Sequence, residues 1–497
     1  LLMYGGLEWV RKLLLARLGD RFDDAVGGQA FMAAVQLAGK RGDRGYRERL
    51  EDVERIRSFL TGSAVLALFD LPWVPLFLGI IFWFHPVLGV VATAGVTLTA
   101  CLSGVNAVYA RAPLAEAKKH TEHSSRFVEG ALRNADVVAA MGMEPQLRER
   151  WQRIHHRALG ARAQADDRSG TFKAIITPLR HFLRIALLGT AALLILGGSL
   201  SPGVMVGAAI LMFRALGPLE GVVSGWSTIE NARRSYQRLR GFMHSAGVGE
   251  QRMQLPPPKG IIKTEALTVR APTTGEIILR GITMRLRAGT VLGVGGPSGS
   301  GKSTLGRALT GVWAPSGGTV RLDGAVMAQW DRMQLGAYMG YLPQEVQLLD
   351  GTILDNISRF GMRTREEALE AARLAGVDAL VAGLPNGYDT EVDSFGHPLS
   401  GGQQQLVGLA RAICGDVRVV ILDEPSASLD ADGRSKLYGV IETLRAQRRT
   451  VVVITHDRQV LMASDAVLLM DGGKVKAYGL RDEVLFGETK SPLAAPE

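Results

Sequence analysis

Nine consecutive residues, Gly296-Pro297-Ser298-Gly299-Ser300-Gly301-Lys302-Ser303-Thr304, fit G-x-x-x-x-G-K-[ST], the spacing of a phosphate-binding P-loop. The chemistry this spacing permits is the grip of a polyphosphate. Glycines let backbone N–H groups turn inward around phosphate oxygens, and the N-terminus of the helix that follows adds partial positive charge. Lys302 is placed to reach the β and γ phosphates, and the Ser303 hydroxyl to hold Mg²⁺. The flanks agree, because Thr290 to Gly295 reads as an apolar strand and a helical pattern opens near Lys302. ATP and Mg²⁺ are the expected ligands.

Two further segments add chemistry to that grip. Val419-Val420-Ile421-Leu422-Asp423-Glu424-Pro425 is an apolar strand ending in two acids. Asp423 is placed to hold Mg²⁺ directly or through water, and Glu424 to polarise an attacking water. Upstream stands Leu399-Ser400-Gly401-Gly402-Gln403, where Ser400 to Gln403 opens a helical pattern through Ile413 and so presents a second anion-binding N-terminus. An ordinary capped helix is the plainer alternative for that segment.

These residues need elements to hold them, and a chain of 497 residues is long enough for two or three domains. Charge divides unevenly: residues 1–250 carry 30 Lys/Arg against 21 Asp/Glu, a net +9, whereas residues 251–497 carry 27 of each. The excess flanks long apolar runs, as expected of cytoplasmic loops beside a lipid bilayer, and this argues against nucleic acid as a partner. The two cysteines, Cys101 and Cys414, suit neither a disulfide framework nor a metal site and read as small packing residues.

Residues 1–250 read as a helical membrane domain. Leu1 to Leu18 resembles the emerging end of a membrane helix, and Asp20 to Arg57 a cytoplasmic helical turnaround. Ala64 to Phe84 and Val87 to Ala110 are each long enough to cross the bilayer, and the intervening His85-Pro86 predicts a hairpin on the far side. A second pair runs from Phe182 to Leu200 and from Gly203 to about Trp226. Between the pairs, residues 111–181 are polar and helix-permissive, predicting one arm through Pro113 to Ala139 and another returning from Gln146 to His181. Asp70, Arg214 and Glu220 are charges at membrane depth, readable either as conduit lining or as ordinary ion pairs between helices. Residues 251–259, with Pro256-Pro257-Pro258, form a stiff linker. Residues 260–487 alternate β-rich and helical runs, predicting an α/β P-loop domain with a mainly parallel sheet, and 488–497 is a tail.

On the P-loop, Val419–Pro425 and Leu399–Gln403 together, the chain resembles an ATP-binding cassette (ABC) transporter of the exporter type. The resemblance implies a homodimer in which Ser400, Gly401, Gly402 and Gln403 of one chain meet the γ-phosphate held by the other chain's P-loop. It implies that Gln344, in Tyr341-Leu342-Pro343-Gln344, senses Mg²⁺ and the attacking water. It implies that Asp430, in Ser428-Leu429-Asp430, connects the two ATP sites, and that His456, after the strand Thr450 to Thr455, contacts the γ-phosphate. With Glu424, His456 and Ser400 all present, both sites of such a dimer are expected to hydrolyse. One departure is visible: exporters stack adenine on an upstream aromatic, and no Phe, Tyr or Trp lies between Phe242 and Trp313.

A narrower resemblance rests on the membrane half. Phe69-Asp70-Leu71-Pro72-Trp73-Val74-Pro75, Leu132 to Met143, Asp167-Arg168-Ser169-Gly170 and Phe213 to Glu220 are similar to the permease/ATPase of bacterial type I secretion systems, in the group exporting alkaline proteases. This implies an inner-membrane protein that threads an unfolded polypeptide with a C-terminal secretion signal, together with a periplasmic adaptor and an outer-membrane channel. Such exporters have six spans per subunit, so the first span and most of the second are expected upstream of Leu1. An exporter of lipid or small amphipathic molecules would share every ATPase residue and is the alternative, whereas a soluble regulatory ATPase is opposed by the four spans. The segments 20–57 and 111–181 are expected to carry motion from nucleotide domain to spans, with Leu132 to Met141 the candidate contact.

Overall fold

The computed structural model describes residues 2–41, 46–132, 134–246, 254–393 and 396–487. The expected tail at 488–497 and the start of the linker at 251–253 lie outside the described residues. The chain divides into two units, Leu1–Ala34 with Gly45–Val248, and Val35–Arg44 with Gly249–Glu497.

The regular elements of the first unit are all helical among the described residues: α1 (Leu2–Arg41, whose residues 35–41 fall in the second unit), α2 (Tyr46–Thr61), α3 (Ser63–Asp70), α4 (Val74–Phe84), α5 (Pro86–Leu132), α6 (Ala135–Ala140), α7 (Glu144–Leu196), α8 (Pro202–Ser224) and α9 (Trp226–Ala246). Among the described residues four stretches are long and apolar enough to cross a membrane: Ser63–Phe84, Pro86–Asn106, Ala174–Leu196 and Pro202–Ser224. The first is not one continuous α-helix. Pro72 and Pro75 lack N–H groups, and the ladder tightens into a 3₁₀ turn at Leu71–Trp73 between α3 and α4. Pro86 opens α5 after the extended His85, whose Nδ1 accepts from the Val87 N–H at 3.2 Å, and this makes the tight hairpin expected there.

Packing between spans follows from small residues. A methyl group added at Gly221 would sit 2.5 Å from the Ala67 Cβ, and one at Gly225 2.7 Å from the Ala64 Cβ. This G-x-x-x-G pair on α8 therefore lets α3 approach to backbone contact, which is how helices associate where lipid offers no hydrophobic drive. Ile81, Leu88, Ala92, Leu187, Ala191, Ala208 and Met212 complete the buried centre.

Two boundaries differ from expectation. The third apolar stretch begins at Ala174, ahead of the expected Phe182, and includes Arg180, whose Nε lies 2.6 Å from Glu220 Oε1 on α8. Pairing lets a charged turn enter the apolar layer. Likewise Asp70 accepts from Arg11 on α1 at 2.7 Å. For Asp70 and Glu220 the geometry is that of ion pairs between helices. The first arm is also shorter than the expected Pro113 to Ala139: α5 ends at Leu132, Asn134 leaves helical geometry (φ −117°, ψ 31°), and α6 forms a separate short turn before α7. Leu132, Val137 and Met141 are exposed there.

Below the spans, α2 packs on α9 around one fully buried carboxylate. Asp52 accepts from Ser235 Oγ at 2.8 Å, Arg238 Nε at 2.9 Å and Arg55 Nη1 at 3.0 Å.

The second unit contains β1 (Ile262–Arg270), β2 (Ile277–Leu286), β3 (Val291–Gly295), β4 (Gly317–Leu322), β5 (Ala325–Val326), β6 (Met339–Leu342), β7 (Gly351–Thr352), β8 (Glu391–Val392), β9 (Val419–Asp423), β10 (Thr450–Ile454), β11 (Ala466–Asp471) and β12 (Lys474–Leu480). Its helices are α10 (Lys302–Leu309), α11 (Arg332–Tyr338), α12 (Ile353–Ile357), α13 (Arg365–Ala375), α14 (Val377–Val381), α15 (Gly401–Ile413), α16 (Ala431–Ala446), α17 (Arg458–Ala463) and α18 (Arg481–Phe486). Strands β11, β3, β10, β9 and β6 are parallel neighbours, with β12 added antiparallel at the β11 edge. Residues of β3, β9 and β10 are buried on both faces, which accounts for their unbroken Val/Ile/Leu runs. The expected mainly parallel sheet is this one. Alongside it stands an antiparallel sheet, β2-β1-β4-β5, which the sequence pattern did not separate.

Candidate active site: the nucleotide-binding residues

The P-loop and the Asp423-Glu424 pair lie at the carboxyl ends of the central parallel strands, where ligands of open α/β sheets gather. β3 delivers Gly296, and the loop Pro297-Ser298-Gly299-Ser300 turns through Gly301 into α10. Gly296 holds φ at +143° and Gly301 at +93°, values that other residues avoid. Lys302 is nearly buried, and its Nζ donates to the Gly296 and Pro297 carbonyls at 2.9 and 3.0 Å. Burial pulls its ammonium below the usual lysine range, an effect the Glu424 and Asp423 carboxylates oppose.

Adjacent β9 brings Asp423 opposite the start of α10. Ser303 Oγ donates to Asp423 Oδ1 at 3.0 Å, so the two predicted metal-holding side chains meet although 120 residues separate them. Asp423 Oδ2 and Ser300 Oγ are buried and meet no hydrogen-bond partner among the described residues. Burial pushes the Asp423 carboxyl up, opposed by the Ser303 hydrogen bond and by the charges of Arg307 and Lys302. Arg307 is a contributor the motif analysis missed; its signal was its place one helical turn beyond Ser303 on α10.

Glu424 leaves β9 in the left-handed region at φ +48°, with its N–H donated to the Ile454 carbonyl at 2.8 Å. A glutamate held there costs about 1–3 kcal/mol, a strain that concentrates at functional sites. Its Oε1 lies 3.3 Å from His456 Nε2, on the loop after β10. The parallel register of β9 and β10 produces this meeting, since Ile454 pairs with Asp423.

The other predicted residues stand apart from this cluster. Ser400 caps α15 and accepts from the Gln403 N–H, while Gln403 Oε1 accepts from the Ser400 N–H at 2.8 Å: a capping box that holds the Gly401-Gly402 turn open. Asp430 caps α16 by accepting from the Gly433 N–H at 2.8 Å. Gln344 is exposed two positions beyond β6, and Thr304 is buried in the first turn of α10. Among the described residues no hydrogen bond joins Ser400, Gln403, Asp430 or Gln344 to the P-loop. Within the chain, Gln405 Nε2 donates to the Pro425 carbonyl at 3.2 Å, tying α15 to the segment after Glu424. Ile278 and Leu279 of β2 pack against the Gly301 backbone, where an added methyl group would lie 2.8 Å from Leu279 Cδ2.

One consequence can be checked at Gly296. A methyl group there would lie 2.2 Å from the Met470 carbonyl oxygen. Gly296→Ala is expected to lose about 2–4 kcal/mol of cassette stability through combined strain and overlap. Thermal melting and titration with a fluorescent ATP analogue would report it, binding being lost together with the P-loop geometry.

A P-loop, a strand-end Asp-Glu pair facing a histidine, and a Ser-Gly-Gly-Gln helix start on one parallel sheet define an ATP-binding cassette. Residues 279–427 match the ABC transporter family, and residues 47–218 match the ABC transporter transmembrane region. The chain is 37% identical over 490 residues to the type I secretion system ATP-binding protein PrsD of Rhizobium meliloti (strain 1021), covering 98% of this chain and 84% of that one. It is 28% identical over 488 residues to the cyclolysin secretion/processing ATP-binding protein CyaB of Bordetella pertussis, covering 96% of this chain and 68% of the relative. A bacterial Atm1-family ABC exporter with ATP bound has the same fold, with a TM-score of 0.81 at 21% identity over 97% of this chain and 86% of that one. The chain belongs to the type I secretion family of ABC exporters. It is an ATP-hydrolysing transporter and a multi-pass protein of the inner membrane.

Proposed function

We propose that this chain exports an unfolded polypeptide carrying a C-terminal secretion signal, as a homodimer working with a periplasmic adaptor and an outer-membrane channel. The observation carrying this reading is the 37% identity to a type I secretion protein along 98% of the chain, membrane unit included. A shared ATPase alone would extend only over the cassette.

The residues fit Mg²⁺-ATP. The hydroxyl of Ser303 and the carboxylate of Asp423 form a hard-oxygen donor set, and Asp423 Oδ2 has a lone pair left over. Mg²⁺ held there would neutralise charge on the β and γ oxygens. The P-loop amides and Lys302 cradle the phosphates, the ammonium exchanging its two carbonyl acceptors for phosphate oxygens. Glu424 orients and polarises the attacking water, and His456, beside it, contacts the γ-phosphate. Gln344 reports on metal and water from the end of β6. Ser400, Gly401, Gly402 and Gln403 complete the site of the partner subunit, and Asp430 links the two sites. Closure of two cassettes on ATP, and reopening after hydrolysis, then shifts the spans between two populations.

The test is to replace Lys302 with Ala in the native host and compare extracellular proteins. One or a few polypeptides retained inside the cell are expected, and their C-terminal segments should suffice to stimulate ATPase activity in reconstituted vesicles. An unchanged set of secreted proteins, with stimulation by lipids instead, would replace this reading by lipid export.

A further inference from the structure

His456 stands on a three-residue loop, Thr455 to Asp457, between β10 and α17. The loop's start is pinned to the P-loop strand, the Thr455 N–H donating to the Val294 carbonyl at 3.0 Å. Its end is held by Asp457. The Asp457 N–H donates to Thr455 Oγ1 at 2.9 Å, and Asp457 Oδ1 accepts from the Gln459 N–H at 2.8 Å as the cap of α17. The two Asp457 bonds are local and fix the shape of the turn; the Val294 bond anchors its start, and neither sets the direction of its far end.

Direction comes from elsewhere. Tyr438, on α16, donates its hydroxyl to Asp457 Oδ2 at 2.6 Å. The same hydroxyl lies 3.0 Å from Gln459 Oε1, a second acceptor; the charged Asp457 carboxylate, at the shorter distance, is the stronger claimant on its single proton. The half-buried ring packs against the cassette core, to which Leu437, Val440 and Ile441 of the same helix belong. Burial and the Asp457 hydrogen bond push the phenol up to about 12, so it stays a donor at working pH.

The helix that carries Tyr438 begins at Asp430, about two turns earlier. One rigid element therefore joins the residue expected to face the second ATP site to the residue that follows His456. We propose that Tyr438 is a positioning residue for hydrolysis: through Asp457 it aims His456 at Glu424 and ties that aim to the placement of α16. This rests on the role of His456 proposed above and adds to it the group that holds the histidine.

The experiment uses the full-length dimeric protein in nanodiscs. Tyr438→Phe removes one hydroxyl and keeps the ring in its packing. It is expected to lower kcat about tenfold, since a hydrogen bond to a charged acceptor is lost and a misaimed catalytic group is penalised steeply. KM for ATP should stay within about twofold, because among the described residues no hydrogen bond joins Tyr438 to a P-loop residue. In a His456→Ala background the same change should add nothing, the two effects passing through one group. Amide exchange should rise in the peptide spanning 455–459 and nowhere else. A thermal midpoint lowered along with kcat, or equal fold losses in both backgrounds, would make Tyr438 merely structural and overturn the proposal. So would an unchanged kcat in Tyr438→Phe while His456→Ala is slow. If His456→Ala itself hydrolyses normally, the parent reading of His456 falls first.

Discussion

Replacing Glu424 with Gln is expected to slow ATP hydrolysis by roughly 10²–10⁴-fold, the usual weight of a group that takes or orients a proton. The amide has the shape of the carboxylate and tolerates φ +48° no worse, so the P-loop, the Ser303–Asp423 bond and ATP binding should survive. What disappears is the negative charge beside His456 that is proposed to polarise water. The variant should therefore collect as an ATP-bound dimer, visible as a shifted elution volume with about two nucleotides per dimer. Normal turnover would remove Glu424 from its proposed role and move the search to Gln344 or His456. A monomer at saturating ATP would instead count against the two-chain sandwich.

The second large effect belongs to the membrane unit. Asp52 is fully buried between α2 and α9, and its donors come from residues as distant in sequence as Ser235 and Arg238. Asp52→Ala would take the shared acceptor from Ser235, Arg238 and Arg55; the two guanidinium groups reach solvent, so the loss is about 1.5–3 kcal/mol, that of hydrogen bonds to a charged group. A melting midpoint lower by about 5 °C, measured in detergent, is the expected reading. Burial by itself would raise the Asp52 carboxyl; hydrogen bonds from Arg238 and Ser235 and the charges of Arg238 and Arg55 outweigh it and leave the group below its ordinary 3.8. A depressed carboxyl stabilises the fold at every pH above the unfolded value. That contribution should fade only as pH falls below 3.8 toward the folded value, and Asp52→Ala should flatten this acid limb.

Much of the cassette site is legible in sequence because each motif is local. The P-loop, Asp423-Glu424 and Ser400–Gln403 are each contiguous, and each sits at a strand end or helix start that its own flanks announce. The spans are legible for the same reason, hydropathy being a property of a window. What escapes is pairing across distance. Arg180 on α7 meets Glu220 on α8, and the antiparallel sheet depends on β1 finding both β2 and β4. The tie between Tyr438 and Asp457 crosses from one helix to the next loop, and no spacing rule anticipates it. The break at Asn134 is a local event, yet the polar composition around it permits a helix straight through.

The two long helices of the first unit set the scale of what a small rotation achieves. α5 has 47 residues and α7 has 53, each running unbroken from membrane depth into the arm. At helical rise α5 is about 70 Å long, so a tilt of about 5° sweeps its far end through about 6 Å. Sub-ångström rearrangement at one end of such a lever becomes side-chain-sized displacement at the other, with no joint needed between. The interior prolines, Pro113 on α5 and Pro178 on α7, are the places where a hydrogen bond is already missing and bending is easiest. Stiffening them would shorten the stroke, and the throughput of cargo per ATP would be the quantity to change.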